Sequence, residues 1–300
     1  MNITISGASG LVGRHLLRVL GDAGHTLHVL SRRGVTNLPS GVKLTVWDPK
    51  SLPPIASLEN AGAVIHLSGE PVAQRWTTET KRRIRESRVE STERLVETIS
   101  KLPRKPACLV CASAVGYYGS RGDEILEESS PPGSGFLPDV CLAWEKAAQA
   151  ASGLGVRVTS IRIGVVLDKR GGALGRLLAP FRAGLGGRLG SGRQWMSWIH
   201  VGDLVELFRF AIDQPLKGPV NGVAPFPVSN AEFTQELARV LKRPALLPVP
   251  EFLLKALLGD MTEILLASQR VAPRAAESAG FRFRFPQLGP ALADLLVTAR

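Results

Sequence analysis

The sequence is poor in cysteine and in aromatic residues, with three cysteines, two tyrosines and five tryptophans among 300 residues. An odd cysteine count cannot be fully paired into disulfides, and Cys108 and Cys111 lie inside the apolar run Ala107 to Ala112 rather than in a knuckle, so reduced thiols are expected. Zinc would need further ligands, and none of the five histidines stands near a second Cys-x-x-Cys pair, so no metal is expected. No apolar run approaches the roughly 18 residues that cross a bilayer, which excludes a membrane span. Met1 to Ser6 enters a strand directly, without the basic, apolar and cleavage regions of a signal peptide, and a cytoplasmic protein is expected. Internal repeats and low-complexity tracts are also missing.

What is abundant is positive charge, glycine and apolar side chains. A net charge of +11 favours phosphates, whether on a cofactor, a nucleic acid or an anionic surface. The densest cluster, Lys81, Arg82, Arg83, Arg85 and Arg88, is interleaved with Glu79, Glu86, Glu90 and Glu93 at helical spacing, the pattern of a solvated helix face with i,i+4 pairs. It carries no interleaved stacking aromatics and no nucleic-acid module, so a nucleic-acid partner is not expected. Composition of 44% apolar residues with 31 glycines fits an α/β protein, and the length suits a nucleotide-binding domain plus a smaller appended region.

Short β-branched runs alternate with amphipathic stretches through the first half: strands at 3–6, 26–30, 42–46, 63–67, 107–111 and 156–162, with helices from about Leu11 to Ala23, Thr77 to Leu102 and onward from Asp139. Such alternation predicts a parallel, doubly wound Rossmann-type sheet. In the long helix, Ile84, Val89, Leu95, Val96 and Ile99 make one buried stripe. Beyond residue 164 the pattern changes to a Gly/Arg-rich segment, a helix over Val201 to Ile212 capped by Gly202-Asp203, and then short helices broken by prolines. Residues 1–165, with about 201–223, are expected to form the nucleotide domain, and 166–200 with 224–300 a smaller, mainly helical substrate domain.

Gly7-Ala8-Ser9-Gly10-Leu11-Val12-Gly13 joins the first strand to the first helix, the context in which a glycine pattern signals a dinucleotide. Gly7 permits the tight turn, Gly10 lets a pyrophosphate approach the backbone, Gly13 lets helix and strand pack closely, and the helix N-terminus offers free N–H groups. After the second strand stands Ser31-Arg32-Arg33, without the carboxylate that would bind adenosine ribose hydroxyls; the arginines favour a 2′-phosphate and hence NADP. Leu67, Ser68 and Gly69 close the fourth strand at the carboxyl edge and are expected beside the cofactor, whereas His66, flanked by Ile65 and Leu67, reads as a packed strand residue.

The Gly7-x-x-Gly10-x-x-Gly13 form resembles the extended short-chain dehydrogenase/reductases. Ser113-Ala114-Val115-Gly116-Tyr117-Tyr118-Gly119, Trp144-Glu145-Lys146, Arg162-Ile163-Gly164 and Trp198-Ile199-His200-Val201-Gly202-Asp203 resemble the atypical group labelled "epimerase family protein", and Pro248-Val249-Pro250, 265–271 and Gly280-Phe281 resemble its uncharacterised C-terminal part. The resemblance implies a bound NADP(H), with Arg88 and Arg162 joining the cofactor site. The parent superfamily relies on a Tyr-x-x-x-Lys pair that is absent here: neither Tyr117 nor Tyr118 has a lysine four residues on. Aligning the helix near Asp139 puts Cys141 and Glu145 at those positions, the preferred register because the apolar helix face then continues through Ala148; sliding by one puts Leu142 and Lys146 there instead. Ser113, or Ala114 in another register, matches the upstream serine, and Arg88 takes the place of the usual asparagine.

Cys141 is either a proton donor, its thiol lowered by Arg88 or Lys146, or a buried small residue. Glu145 is either a base or a solvated helix residue. Tyr117, Tyr118, Arg193 and Gln194 are candidate substrate contacts, with His200 and Asp203 fixing the join between the two parts. The sequence thus suggests an NADP(H)-dependent oxidoreductase or epimerase-like enzyme, monomeric or homodimeric, on an unknown small polar substrate. The alternative is an NADP(H)-binding redox sensor or scaffold without turnover.

Overall fold

The computed structural model describes residues 1–34 and 38–297. β1 (Asn2–Ser6) passes through the glycine turn into α1 (Leu11–Asp22), followed by β2 (Thr26–Ser31), β3 (Lys43–Val46) and β4 (Ala63–His66). Next come α2 (Thr78–Glu86), α3 (Val89–Lys101), β5 (Cys108–Ala114), the short β6 (Ile125–Leu126), α4 (Phe136–Gln149) and β7 (Arg157–Ile163). Then follow β8 (Val165–Leu167), α5 (Gly172–Arg182), β9 (Trp195–Met196), β10 (Trp198–His200), α6 (Val201–Asp213) and β11 (Gly218–Gly222). The chain closes with β12 (Val228–Ser229), α7 (Asn230–Leu241), α8 (Glu251–Leu258), α9 (Thr262–Leu266), β13 (Arg270–Val271), α10 (Arg274–Ser278) and α11 (Leu288–Leu296).

Seven strands pair in parallel in the order β11-β7-β5-β4-β1-β2-β3, the Rossmann-type sheet expected. All four residues of β4 are buried, and six of the seven in β5, which is why these strands read as continuous apolar runs and not as alternation. Strand order reverses between β1 and β4, opening a crevice beyond their carboxyl ends.

The expected helix from Thr77 to Leu102 is two helices. Ser87 donates to the Ile84 carbonyl and accepts the Glu70 backbone N–H at 2.9 Å, so the chain bends there to meet the β4 loop. All five apolar stripe residues are buried nonetheless.

The start of α6 also differs from expectation. Its cap is His200, whose Nδ1 accepts the Gly202 N–H at 3.0 Å, while Asp203 turns away to accept the backbone N–H groups of Arg284 and Phe285 at 3.0 and 2.9 Å. His200 lies 4.1 Å, ring centre to ring centre, from Phe285. These contacts tie the C-terminal helices to the sheet, and Phe233, Leu237, Leu288 and Leu292 share one hydrophobic core with Ile3, Ile5 and Val110. The strand pairs β8–β10, β9–β12 and β6–β13 stitch the later chain to the loops above the sheet.

Asp203→Ala strands two backbone donors at a buried position and is expected to cost about 2 kcal/mol of unfolding free energy, read from urea denaturation; an unchanged midpoint would show that the 284–285 segment is held by other contacts.

Candidate nucleotide site and the adjoining polar cluster

The turn after β1 is built by close approach. A Cβ at Gly7, where φ is +74°, would lie 2.7 Å from the Leu67 carbonyl carbon, and one at Gly13 would lie 2.5 Å from the Ala8 Cα. Side chains at these positions would therefore push β4 and α1 away from β1. The space left is a cleft of about 390 Å³ bordered by Gly7, Ser9, Gly10, Ser31, Arg32, Arg33, Leu67, Ser68 and Gly69, all expected from the sequence, with Trp47 and Glu70 as residues that were not. Leu11 borders a separate cavity, while Val12 packs against the core and Gly13 is buried.

Arg32 and Arg33 are exposed at the cleft, and the Glu70 carboxylate stands 3.7 Å from the Arg32 guanidinium. A carboxylate thus reaches the end of β2 after all, from the loop that follows β4. Its position directly after Ser68-Gly69 was the one signal for it in the sequence. His66 is fully buried between the Ser6 hydroxyl at 2.6 Å and the Ser91 hydroxyl at 3.3 Å, and burial pushes its pKa down to about 4.

Arg88 reaches toward the cleft from the break between α2 and α3. A Cβ on Gly69 would lie 3.0 Å from its guanidinium carbon, so the glycine makes room for the arginine. One N–H donates to the Ile84 carbonyl, and the group lies over the Trp144 ring at 5.3 Å. Burial lowers its pKa, opposed by Cys141 and Glu70.

On α4 the structure decides between the two registers. Cys141 is buried and Glu145 points to the sheet, whereas Leu142 and Lys146 are exposed. Of the two readings of Cys141 the structure favours the buried residue over a lowered thiol: burial, then the Glu145 charge, push its pKa up to about 12, Arg88 offsets only part of this, and Lys146 faces elsewhere. Glu145 is likewise not a solvated helix residue. Its carboxylate takes two bonds from Arg162, both 2.8 Å, and one from the Ser113 hydroxyl at 2.6 Å. A second Arg162 nitrogen face meets the Tyr118 hydroxyl at 2.9 Å and the Glu128 carbonyl at 3.1 Å, and the guanidinium carbon sits 3.4 Å from the Tyr117 ring centre.

Arg162 accordingly stands in this cluster and does not border the nucleotide cleft, contrary to expectation. Tyr118 is fully buried with its hydroxyl donated to Asn221 at 2.7 Å, burial pushes its pKa up to about 12, and the residue stands at the edge of a larger cavity. Gln194 is buried as well, donating to the Leu189 and Leu265 carbonyls, while Arg193 is exposed and borders neither cavity of this region. Asn221 and Glu128 were missed because their partners lie far off in sequence: Asn221 bonds the Ala272 carbonyl, and Glu128 accepts the N–H groups of Asn221 and Ala275. A larger cavity of about 1010 Å³ opens beside this cluster, between residues 118–121, 132–134 and the α8–α9 segment.

Residues 3–224 match the NAD-dependent epimerase/dehydratase family, and residues 249–295 match a domain of unknown function, DUF1731. The chain belongs to the NAD-dependent epimerase/dehydratase family. Within it, the chain is similar to the epimerase family protein YfhF of Bacillus subtilis, 37% identical with 99% of this chain and 98% of that protein covered. It is 40% identical to a chloroplastic SDR39U1 homolog of Arabidopsis thaliana, with 99% and 87% covered. The crystal structure of human epimerase family protein SDR39U1 with NADPH superposes with a TM-score of 0.88 at 34% identity, covering 98% of this chain and 99% of the human one. Among the described residues no helix is long and apolar enough to cross a membrane.

His66 gives a signed pH dependence. The unfolded chain takes up its proton near pH 6.5 and the folded chain only near 4, so stability is complete above 6.5 and falls as pH drops through that window. Between pH 7 and 4 the native protein is expected to lose about 3 kcal/mol more than His66→Asn, measured by urea unfolding at each pH; parallel losses would place the acid sensitivity elsewhere.

Proposed function

We propose that the protein binds NADP(H) across the carboxyl edge of β1, β2 and β4. It acts there as an oxidoreductase or epimerase-like enzyme on a small polar molecule, held between the polar cluster and the α8–α9 segment. The observation that carries this reading is the convergence in one cleft of the glycine turn, Arg32, Arg33 and the backbone of Leu67 to Gly69. The NADPH named with the human relative supports it. The residues fit such a ligand: the turn offers the α1 N-terminus, which has no side-chain cap, to a pyrophosphate, and the two exposed guanidinium groups offer donors to a 2′-phosphate.

When bound, a nicotinamide supplies the hydride donor or acceptor. The chain's own part would be proton handling. Ser113 Oγ donates to Glu145, which leaves its oxygen lone pairs to accept from a substrate hydroxyl, and the Arg162 fork fixes the carboxylate that receives the proton. Cys141, with its pKa raised, would keep its proton on Sγ near neutrality. Arg88 presents a guanidinium beside Gly69, suited to an anionic group on cofactor or substrate.

A second reading, NADP(H) binding without turnover, has one observation in its favour. Ser113, Glu145, Arg162, Tyr118 and Asn221 satisfy one another, so the cluster is a complete buried network without any substrate.

Mass spectrometry of dinucleotide released on denaturation, with titration of apo-protein by NADPH and NADH, tests the cofactor; NADPH is expected to bind more tightly. Arg32→Ala should weaken NADPH about tenfold or more and leave NADH nearly unchanged, and equal losses for both would remove Arg32 from phosphate recognition. Ser113→Ala should keep NADPH affinity while abolishing any substrate-dependent change in nicotinamide absorbance; failure of every hydroxyl and carbonyl compound to produce such a change in the native protein would favour the second reading.

A further inference from the structure

On the other side of the α1 N-terminus lies a cavity of about 630 Å³ that the nucleotide reading does not use. Arg14 and Arg18, one turn apart on α1, border it together with Lys169 and Arg170 from the turn between β8 and α5. Like charges at i,i+4 destabilise a helix, and here two further cations are brought up against them by tertiary structure. Among the described residues none of the four has a carboxylate partner within ion-pair distance.

Two carboxylates also border the cavity, each beside a histidine. Asp168 is buried, with one oxygen 2.6 Å from His15 Nε2 and the other accepting the Arg170 backbone N–H at 2.8 Å. Asp294 lies 3.4 Å from His200 Nε2. Arg14, Arg18, Lys169 and Arg170 outnumber the two bordering carboxylates, Asp168 and Asp294, so the rim is net positive and favours an anion with several oxygens.

We propose that this cavity is a second anion site, distinct from the dinucleotide cleft, which takes a small phosphate-class ligand. Arg14 links the two. Its Nε donates at 2.9 Å to the Ser9 carbonyl, within the glycine turn, so an anion drawn to Arg14 acts on the backbone that borders the nucleotide cleft. The proposal does not rest on the identity of the nucleotide.

The test is calorimetric titration of the full chain with inorganic pyrophosphate, with and without saturating NADPH. It compares the native protein with an Arg18→Gln/Arg170→Gln double variant, whose side chains are exposed and outside the core. Pyrophosphate is expected to bind in the presence of NADPH, and the double variant to bind it at least about tenfold more weakly with unchanged NADPH affinity. Lys169→Gln alone gives the same comparison should the double variant misfold. Three outcomes overturn the proposal: no pyrophosphate binding at millimolar concentration, equal binding by the variants, or displacement by NADPH, which would put the anion in the dinucleotide cleft. Absence of NADPH binding would sink the nucleotide reading and leave the comparison of native and variant proteins intact.

Discussion

The constraint on which the rest of the molecule depends is the near-contact of three backbones at the end of β1. Gly7 touches the start of the β4 loop and Gly13 touches Ala8, both at distances that no side chain tolerates. That contact sets how closely α1 lies on the sheet, and it brings the β1 and β4 carboxyl ends side by side where strand order reverses. The cleft follows from it. So does the position of Gly69, whose missing side chain leaves room for Arg88 and connects the nucleotide region to α3 and α4.

On α4 a thiol and a carboxylate, Cys141 and Glu145, stand one turn apart, and the carboxylate organises its surroundings. A half-buried carboxylate at Glu145 is stabilised by a cation, and Arg162 on the adjacent β7 supplies it with two parallel bonds. Arg162 in turn fixes Tyr118 and the Glu128 carbonyl; the Tyr118 hydroxyl reaches Asn221, the Glu128 carboxylate accepts the Asn221 and Ala275 N–H groups, and Asn221 holds the Ala272 carbonyl. A local change on α4 is thereby coupled to the placement of the C-terminal chain that walls the larger cavity. Asp203 and His200 repeat the logic on the other side of the sheet, with a buried acid and a ring holding the 284–285 backbone.

Much of this was legible in the residues. The parallel sheet, the glycine turn, the cleft-lining residues after β1, β2 and β4, and the packed character of His66 all depend on local signals: apolar runs, glycine spacing, residues at strand ends. The break at Ser87 was not legible, because helical periodicity continues through it and the competing partner, the Glu70 N–H, comes from another loop. The cap of α6 was misassigned for a similar reason, since Asp203 is a good capping residue by type but is claimed by a segment 81 residues away.

By itself the sequence determined the fold class and which backbone turns can approach a dinucleotide, because glycine placement and hydrophobic period act over a few residues. It also showed that neither tyrosine is followed by a lysine four residues on, since that spacing is read directly along the chain. The apolar face of α4 already favoured Cys141 and Glu145 over Leu142 and Lys146, but only the tertiary structure set what Glu145 meets across the sheet. It alone turned Glu145 and Arg162 from two isolated charges into a pair, since burial and distance between remote residues, not residue type, set what a titratable group can do.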